Sequence, residues 1–248
     1  AGVLQPVESA VLEDTIPATY RDPEGYWYGL SLRARPVMYV KGRVNPEALS
    51  TYEELSSGQW RKRICIRSSS NIYNQSLVAS MIESDGEAAT ETWARGLVAN
   101  FARPPSGGDR DQIKAAAAGQ CDIAVANTYY LGMMLNSRDA AEAQAAEKIA
   151  VFWPNQGGRG AHVNVSGAGV TKAARHREDA VRLIEFLAGE DAQRWYADVN
   201  YEYPVRGGME ISETLRAWGD FKADGVNLSR LGENNAAAVK LMDRAGWK

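Results

Sequence analysis

The sequence predicts an α/β fold in which a mostly parallel sheet is covered by helices on both faces. Short runs of β-forming residues alternate with stretches of helical periodicity, and two of the resulting βα units look alike. A third strand-like segment, residues 161–170, precedes a helix whose Ala180, Leu183, Ile184 and Leu187 fall at i, i+3, i+4 and i+7, closed by Gly189.

Residues 1–28 are polar and turn-rich. Residues 30–39 read as a strand, with Leu30, Leu32 and Ala34 alternating against Ser31, Arg33 and Arg35. Residues 51–58 read as a short helix capped by Ser50 or Thr51. In the first βα unit, residues 63–67 form the strand and 68–71 the turn, and Leu77, Val78, Met81 and Ile82 carry helical spacing. In the second, residues 121–126 are the strand, Asn127 and Thr128 the turn and cap, and a helix starts by Leu131. Between them lie a helix around Trp93, Leu97 and Phe101 and another over residues 111–118, ended by Gly119. Helical, turn-rich sequence runs from Gly189 to Lys248, with no low-complexity tract.

The bulk numbers narrow the function classes. At 248 residues and 45% hydrophobic, the chain can bury one large core or two smaller ones. The 28 basic and 31 acidic side chains leave a net charge of −3, which gives no footprint for nucleic acid or an anionic membrane. The most apolar stretch, residues 115–135, is interrupted by Gln120, Asp122, Asn127 and Thr128, short of the ~18 apolar residues of a membrane span. The first residues lack the basic and apolar regions of a signal peptide, so the sequence reads as a mature form or a fragment. Two cysteines and two histidines leave any metal centre dependent on oxygen donors. Residues 103–108 lack the Gly-Lys-Ser/Thr core of a phosphate loop, residues 157–160 fail the dinucleotide pattern, and no nucleophile triad has a local signature.

Ligands of open parallel sheets bind at the carboxyl ends of strands, where helices begin. Tyr73 lies eight residues after Cys65, Tyr129 eight after Cys121, and Tyr130 follows directly. Matching offsets bring these phenols to one rim of the sheet. A hard trivalent cation prefers anionic oxygen, and it displaces the proton of a phenol that is otherwise neutral at pH 7. Helix N-termini push the same way. Packing and sugar stacking are the other uses of a Tyr-Tyr pair, and spacing alone leaves all three open.

The strings Ser70-Asn71-Ile72-Tyr73-Asn74-Gln75-Ser76 and Val125-Ala126-Asn127-Thr128-Tyr129-Tyr130-Leu131-Gly132 resemble the two ligand motifs of bacterial and cyanobacterial ferric-iron-binding proteins. Residues 158–169 and Tyr201-Glu202-Tyr203-Pro204-Val205 resemble that family too, in the same order along the chain. The resemblance implies a type II periplasmic binding protein: two α/β lobes joined by crossover strands, with ligand in the cleft. Lobe one would comprise residues 1–36 and 166–248, and lobe two residues 37–165. The first residues resemble sequence well inside lobe one, so that lobe would be incomplete at its N-terminus.

By the same resemblance Tyr73, Tyr129 and Tyr130 ligate Fe³⁺ as cargo. Arg33 and Arg35, on the first crossover strand, would hold carbonate or another small anion or stand beside the iron. Cys65 and Cys121, at corresponding places on two strands, would meet an oxidising periplasm either as a disulfide or as two buried thiols. The partner would be an inner-membrane ABC permease, met by an exported, monomeric, non-enzymatic carrier. The rivals are a receptor of the same fold for a non-metal anion, sugar or amine, and an enzyme or sensor domain built on the same lobes.

Overall fold

The computed structural model describes residues 2–248. In chain order its elements begin with β1 (Leu4–Gln5), α1 (Ala10–Thr15), β2 (Tyr28–Ala34), β3 (Val37–Val40) and β4 (Ile64–Cys65). There follow α2 (Ile72–Asp85), α3 (Glu87–Ala99), α4 (Asp109–Ala117), β5 (Ile123–Val125), α5 (Thr128–Leu135), α6 (Ala140–Glu147) and β6 (Ile149–Phe152). The chain ends with β7 (Val163–Ala168), β8 (Val170–Thr171), α7 (Arg177–Ala188), α8 (Glu190–Val199), β9 (Tyr203–Pro204), α9 (Glu213–Arg216) and α10 (Leu228–Arg244). Among the described residues, no helix is long and apolar enough to cross a membrane.

The chain divides into two compact units. Unit 1 holds residues 1–33, 164–219 and 226–229; unit 2 holds residues 34–163, 220–225 and 230–248. The sequence placed the whole C-terminal stretch in lobe one. Residues 220–225 and 230–248 instead belong to unit 2, and the reason is the burial of Trp247. That side chain is 1% exposed and meets the ring edges of Trp93 and Phe101, while its indole N–H donates to the Arg67 carbonyl at 2.9 Å. Arg244 adds ion pairs to Glu87 and Glu91 of α3, and Arg230 pairs with Glu83 of α2.

In unit 1, β2 lies between β7 and β9 in a three-stranded sheet, and β1 pairs with β8. The buried Gln193 of α8 ties the sheet to its helical cover: its amide donates to the Leu30 carbonyl at 2.7 Å and accepts from the Val205 N–H at 2.9 Å. Ser9 caps α1 by accepting from the Leu12 N–H.

Unit 2 is built on the strand order β4-β5-β3-β6. Strands β4 and β5 run parallel, whereas β3 is antiparallel to both β5 and β6. The sheet is therefore mixed rather than mostly parallel. Local alternation cannot report this, because strand direction is decided by where the chain enters the sheet. The expected strand over residues 30–39 is also two strands. Pro36 offers no N–H to a ladder, so the run breaks between β2 and β3, at the passage from unit 1 to unit 2. The predicted helix at 51–58 reduces to a 3₁₀ turn over Glu53–Ser56, with the Thr51 hydroxyl accepting from the Glu54 N–H.

Cys65 and Cys121 are joined by a disulfide with Cα atoms 5.9 Å apart. They are not opposite one another across the strands: Cys65 faces Ala124 in the β4–β5 register, and Cys121 lies just before β5 begins. The bridge closes a 56-residue separation and pins the strand leading towards Tyr73 to the segment leading towards Tyr129. Replacing both cysteines by alanine should cost about 2–4 kcal/mol of stability, mainly by freeing the unfolded chain. Guanidinium unfolding of the variant and the parent reads this directly; identical midpoints would show that the loop is already restrained without the bond.

The buried polar node at the start of β3 has its own pH signature. His162 is 2% exposed; its Nε2 meets the Ser76 hydroxyl at 3.0 Å and its backbone N–H donates to the Tyr52 hydroxyl. Tyr52 in turn donates to the Arg35 carbonyl at 2.8 Å. Burial first, then the cationic Arg35 and Arg159, lower the imidazole pKa to about 3. Between the ordinary histidine value near 6.5 and that depressed one, only the unfolded chain takes up the proton. Stability should therefore fall with falling pH in that window, by up to ~1.4 kcal/mol per pH unit for this group. Denaturant titrations at pH 7 and pH 5 test it, since His162→Gln should lack that part of the acid loss.

Candidate metal centre

Tyr73 is the second residue of α2, and Tyr129 and Tyr130 are the second and third of α5. The strands feeding these helices are parallel neighbours, so their carboxyl ends and the two helix N-termini share one rim. The turns differ in length: six residues separate β4 from α2, and two separate β5 from α5. Equal cysteine-to-tyrosine offsets nonetheless arise, because Cys121 stands upstream of its strand. Asn71 caps α2, its side chain accepting from the Tyr73 N–H at 3.2 Å.

The phenols meet. The hydroxyls of Tyr73 and Tyr129 are 3.2 Å apart, and the rings of Tyr129 and Tyr130 lie with centroids 4.1 Å apart. Tyr129 is 9% exposed, while Tyr73 and Tyr130 are half-buried. Burial raises the Tyr129 pKa well above the usual phenol value, and hydrogen bonding to Tyr130 and Tyr73 adds to the rise. Burial also raises Tyr130, opposed by its bond to Tyr129 and reinforced by the negative charges that Tyr73 and Asp109 can carry. Both phenols are neutral at pH 7 unless a cation takes the place of their protons. The cluster is a set of oxygen donors that resists ionisation alone and yields it to a strongly charged ion.

Beneath the phenols lies an ionic network that sequence reasoning missed. Asp109 opens α4 and is fully buried, and its carboxylate accepts from the Asn127 N–H at 2.8 Å. It pairs with Arg35 at 3.2 Å and with Arg67 at 3.5 Å. The available signal was a pair of acidic residues, Asp109 and Asp111, around a helix start, a position that usually means only a solvated favourable charge.

The two arginines singled out from sequence part company. Arg35 is fully buried beside the tyrosines, and both of its terminal nitrogens are spent on protein acceptors. No face of it is open to a small anion, which corrects the anion-holding expectation for this residue. Arg33 belongs to unit 1, where it donates to the Val165 carbonyl at 2.9 Å and pairs with Glu202 at 3.4 Å. Glu202 also receives the Ser31 hydroxyl.

Comparison with known proteins gives this geometry a context. Residues 1–223 match the family model described as bacterial extracellular solute-binding protein. The chain is 53% identical over 247 residues to iron uptake protein A1 of Synechocystis sp., covering all of this chain and 69% of that protein. Among solved structures, it is similar to the Trichodesmium protein IdiA (FutA) in complex with iron and citrate ligands. That match has a TM-score of 0.98 and 51% identity over all of this chain and 78% of the other. A ferric binding protein from Campylobacter jejuni superposes with a TM-score of 0.95 at 36% identity, again over all of this chain and 78% of the other. The fold is that of the periplasmic binding proteins, and the chain belongs to the bacterial extracellular solute-binding protein family.

Proposed function

We propose that this protein is the ferric-iron carrier of an ABC importer, taking Fe³⁺ on the phenolates of Tyr73, Tyr129 and Tyr130. The observation that carries the reading is the meeting of these hydroxyls at one rim of unit 2, with 3.2 Å between those of Tyr73 and Tyr129. Three phenolates offset the formal charge of the ion, and hard oxygen donors match a hard cation. The relatives support the same cargo: one is an iron uptake protein and another was solved with iron and citrate. Carbonate or another small oxygen anion would fill positions that the phenols leave.

The protein acts in the periplasm as a monomeric, non-enzymatic binder. Its tyrosines hand the ion to an inner-membrane permease. Fe³⁺ binding displaces the protons of Tyr129 and Tyr130, so uptake is coupled to proton release and is reversed by acid.

Titration with ferric citrate tests the reading. A phenolate-to-iron charge-transfer band should grow in the visible region and saturate at one ion per chain. A protein that stays colourless and gains no thermal stability with ferric citrate would instead be a receptor for a non-metal solute.

A further inference from the structure

Arg35 reaches both phenol-bearing turns at once. One terminal nitrogen donates to the Asn127 side-chain oxygen at 2.9 Å and pairs with Asp109 at 3.2 Å. The other donates to the Asn74 side-chain oxygen at 2.6 Å and to the Val125 carbonyl at 3.2 Å. Asn74 follows Tyr73 directly in α2, and Asn127 stands two residues before Tyr129 at the start of α5. Asn74 passes the restraint on, its amide donating to the carbonyls of Arg67 and Ser68 and so fixing the turn that ends β4. The guanidinium carbon lies 5.9 Å from the Tyr73 ring centroid.

We infer that Arg35 is a positioning residue for the cargo site: its planar fork locks the Tyr73 turn to the Tyr129–Tyr130 turn and sets the separation of the phenol oxygens. Resting on the ferric reading above, this assigns Arg35 a task without contact with the ion. Three physical arguments carry it. The side chain is fully buried, so its hydrogen bonds hold one geometry rather than exchanging with water. Its acceptors come from the end of β5, from two helix starts and from the first residue of α4, so one side chain joins all four, and the Asn127 N–H to Asp109 bond braces two of them again. A rigid fork can satisfy divergent acceptors on two nitrogens, whereas a lysine ammonium is a single point and must abandon one side. Groups that orient metal ligands from behind typically contribute ~10–100-fold in affinity.

The test is Arg35→Lys, which keeps the charge beside Asp109 and removes the fork. Ferric affinity is measured against a competing chelator, and the charge-transfer band is recorded per bound ion. Affinity should fall ~10–100-fold, with a shifted or weakened band reporting altered phenolate–iron geometry. A purely structural role would lower the melting temperature and leave the band of the bound ion as in the parent. Should the lysine variant fail to fold, Asn127→Ala removes only the Tyr129-side tether and is expected to show the same signature more mildly. Parental affinity and band in a folded variant overturn the inference. A parent with no band overturns the ferric reading and this inference with it.

Discussion

Tyr129→Phe is expected to abolish the visible band or to weaken ferric binding by more than about 100-fold, beyond the ~10–100-fold expected when a group behind a ligand is removed. The substitution removes one oxygen and keeps the ring against Tyr130, so the tilted ring contact at 4.1 Å survives. On the stability side it deletes a hydrogen bond to Tyr73 in a half-buried place, an effect of about 0.5–1.5 kcal/mol in either direction. Burial holds the Tyr129 proton tightly, so a parent that binds iron gains enough at this oxygen to overcome that resistance. Without the oxygen, the ion has one anionic donor fewer. Chelator competition and a thermal melt separate the two effects. A variant that keeps parental affinity would remove Tyr129 from the ligand set and leave Tyr73 and Tyr130 as an isolated pair.

How much of this was legible in the sequence follows from the range of each interaction. Tyr73, Tyr129 and Tyr130 could be placed on one rim because the signals are local: a β run, a polar turn, then helical spacing. The cap at Thr51 is local as well, its hydroxyl accepting from the Glu54 N–H, whereas Asn127 heads α5 without a side-chain cap bond. Arg35 was visible only as an alternating polar residue on a strand that in fact stops just before it. Its acceptors are 39, 74, 90 and 92 residues away, and no periodicity encodes such partners. Trp247 shows the same limit: a tryptophan near the C-terminus says nothing of Trp93 and Phe101, which assign the last stretch to unit 2. The antiparallel entry of β3 was hidden for a related reason, since Val37–Val40 reads the same in either direction. Even the equal tyrosine offsets succeeded by compensation, a long turn after β4 matched by an upstream Cys121 before β5.

The second large effect concerns the charge beneath the phenols. Asp109→Ala is expected to destabilise the protein by about 3–5 kcal/mol, because it strands a buried guanidinium. Both partners of the Arg35–Asp109 pair have fully buried side chains, and Arg67, the other cation at this carboxylate, keeps 24% exposure and can turn to water. The Asn127 N–H loses its acceptor in the same step. Such a loss is a large share of the roughly 5–15 kcal/mol that holds a typical domain together. Urea unfolding of parent and variant measures it; a change below about 1 kcal/mol would show that water reaches Arg35 and that the node is not the sealed network its burial implies. Combining Asp109→Leu with Arg35→Met removes both charges, and part of the lost stability should return, since uncharged side chains need no counter-ion. Ferric affinity should not return, because Asn74 and Asn127 have lost the fork that joins them. Divergence of the two readouts in one double variant is the outcome that a positioning role demands. Recovery of both would mean that the pair serves stability alone and that the phenols find their places without it.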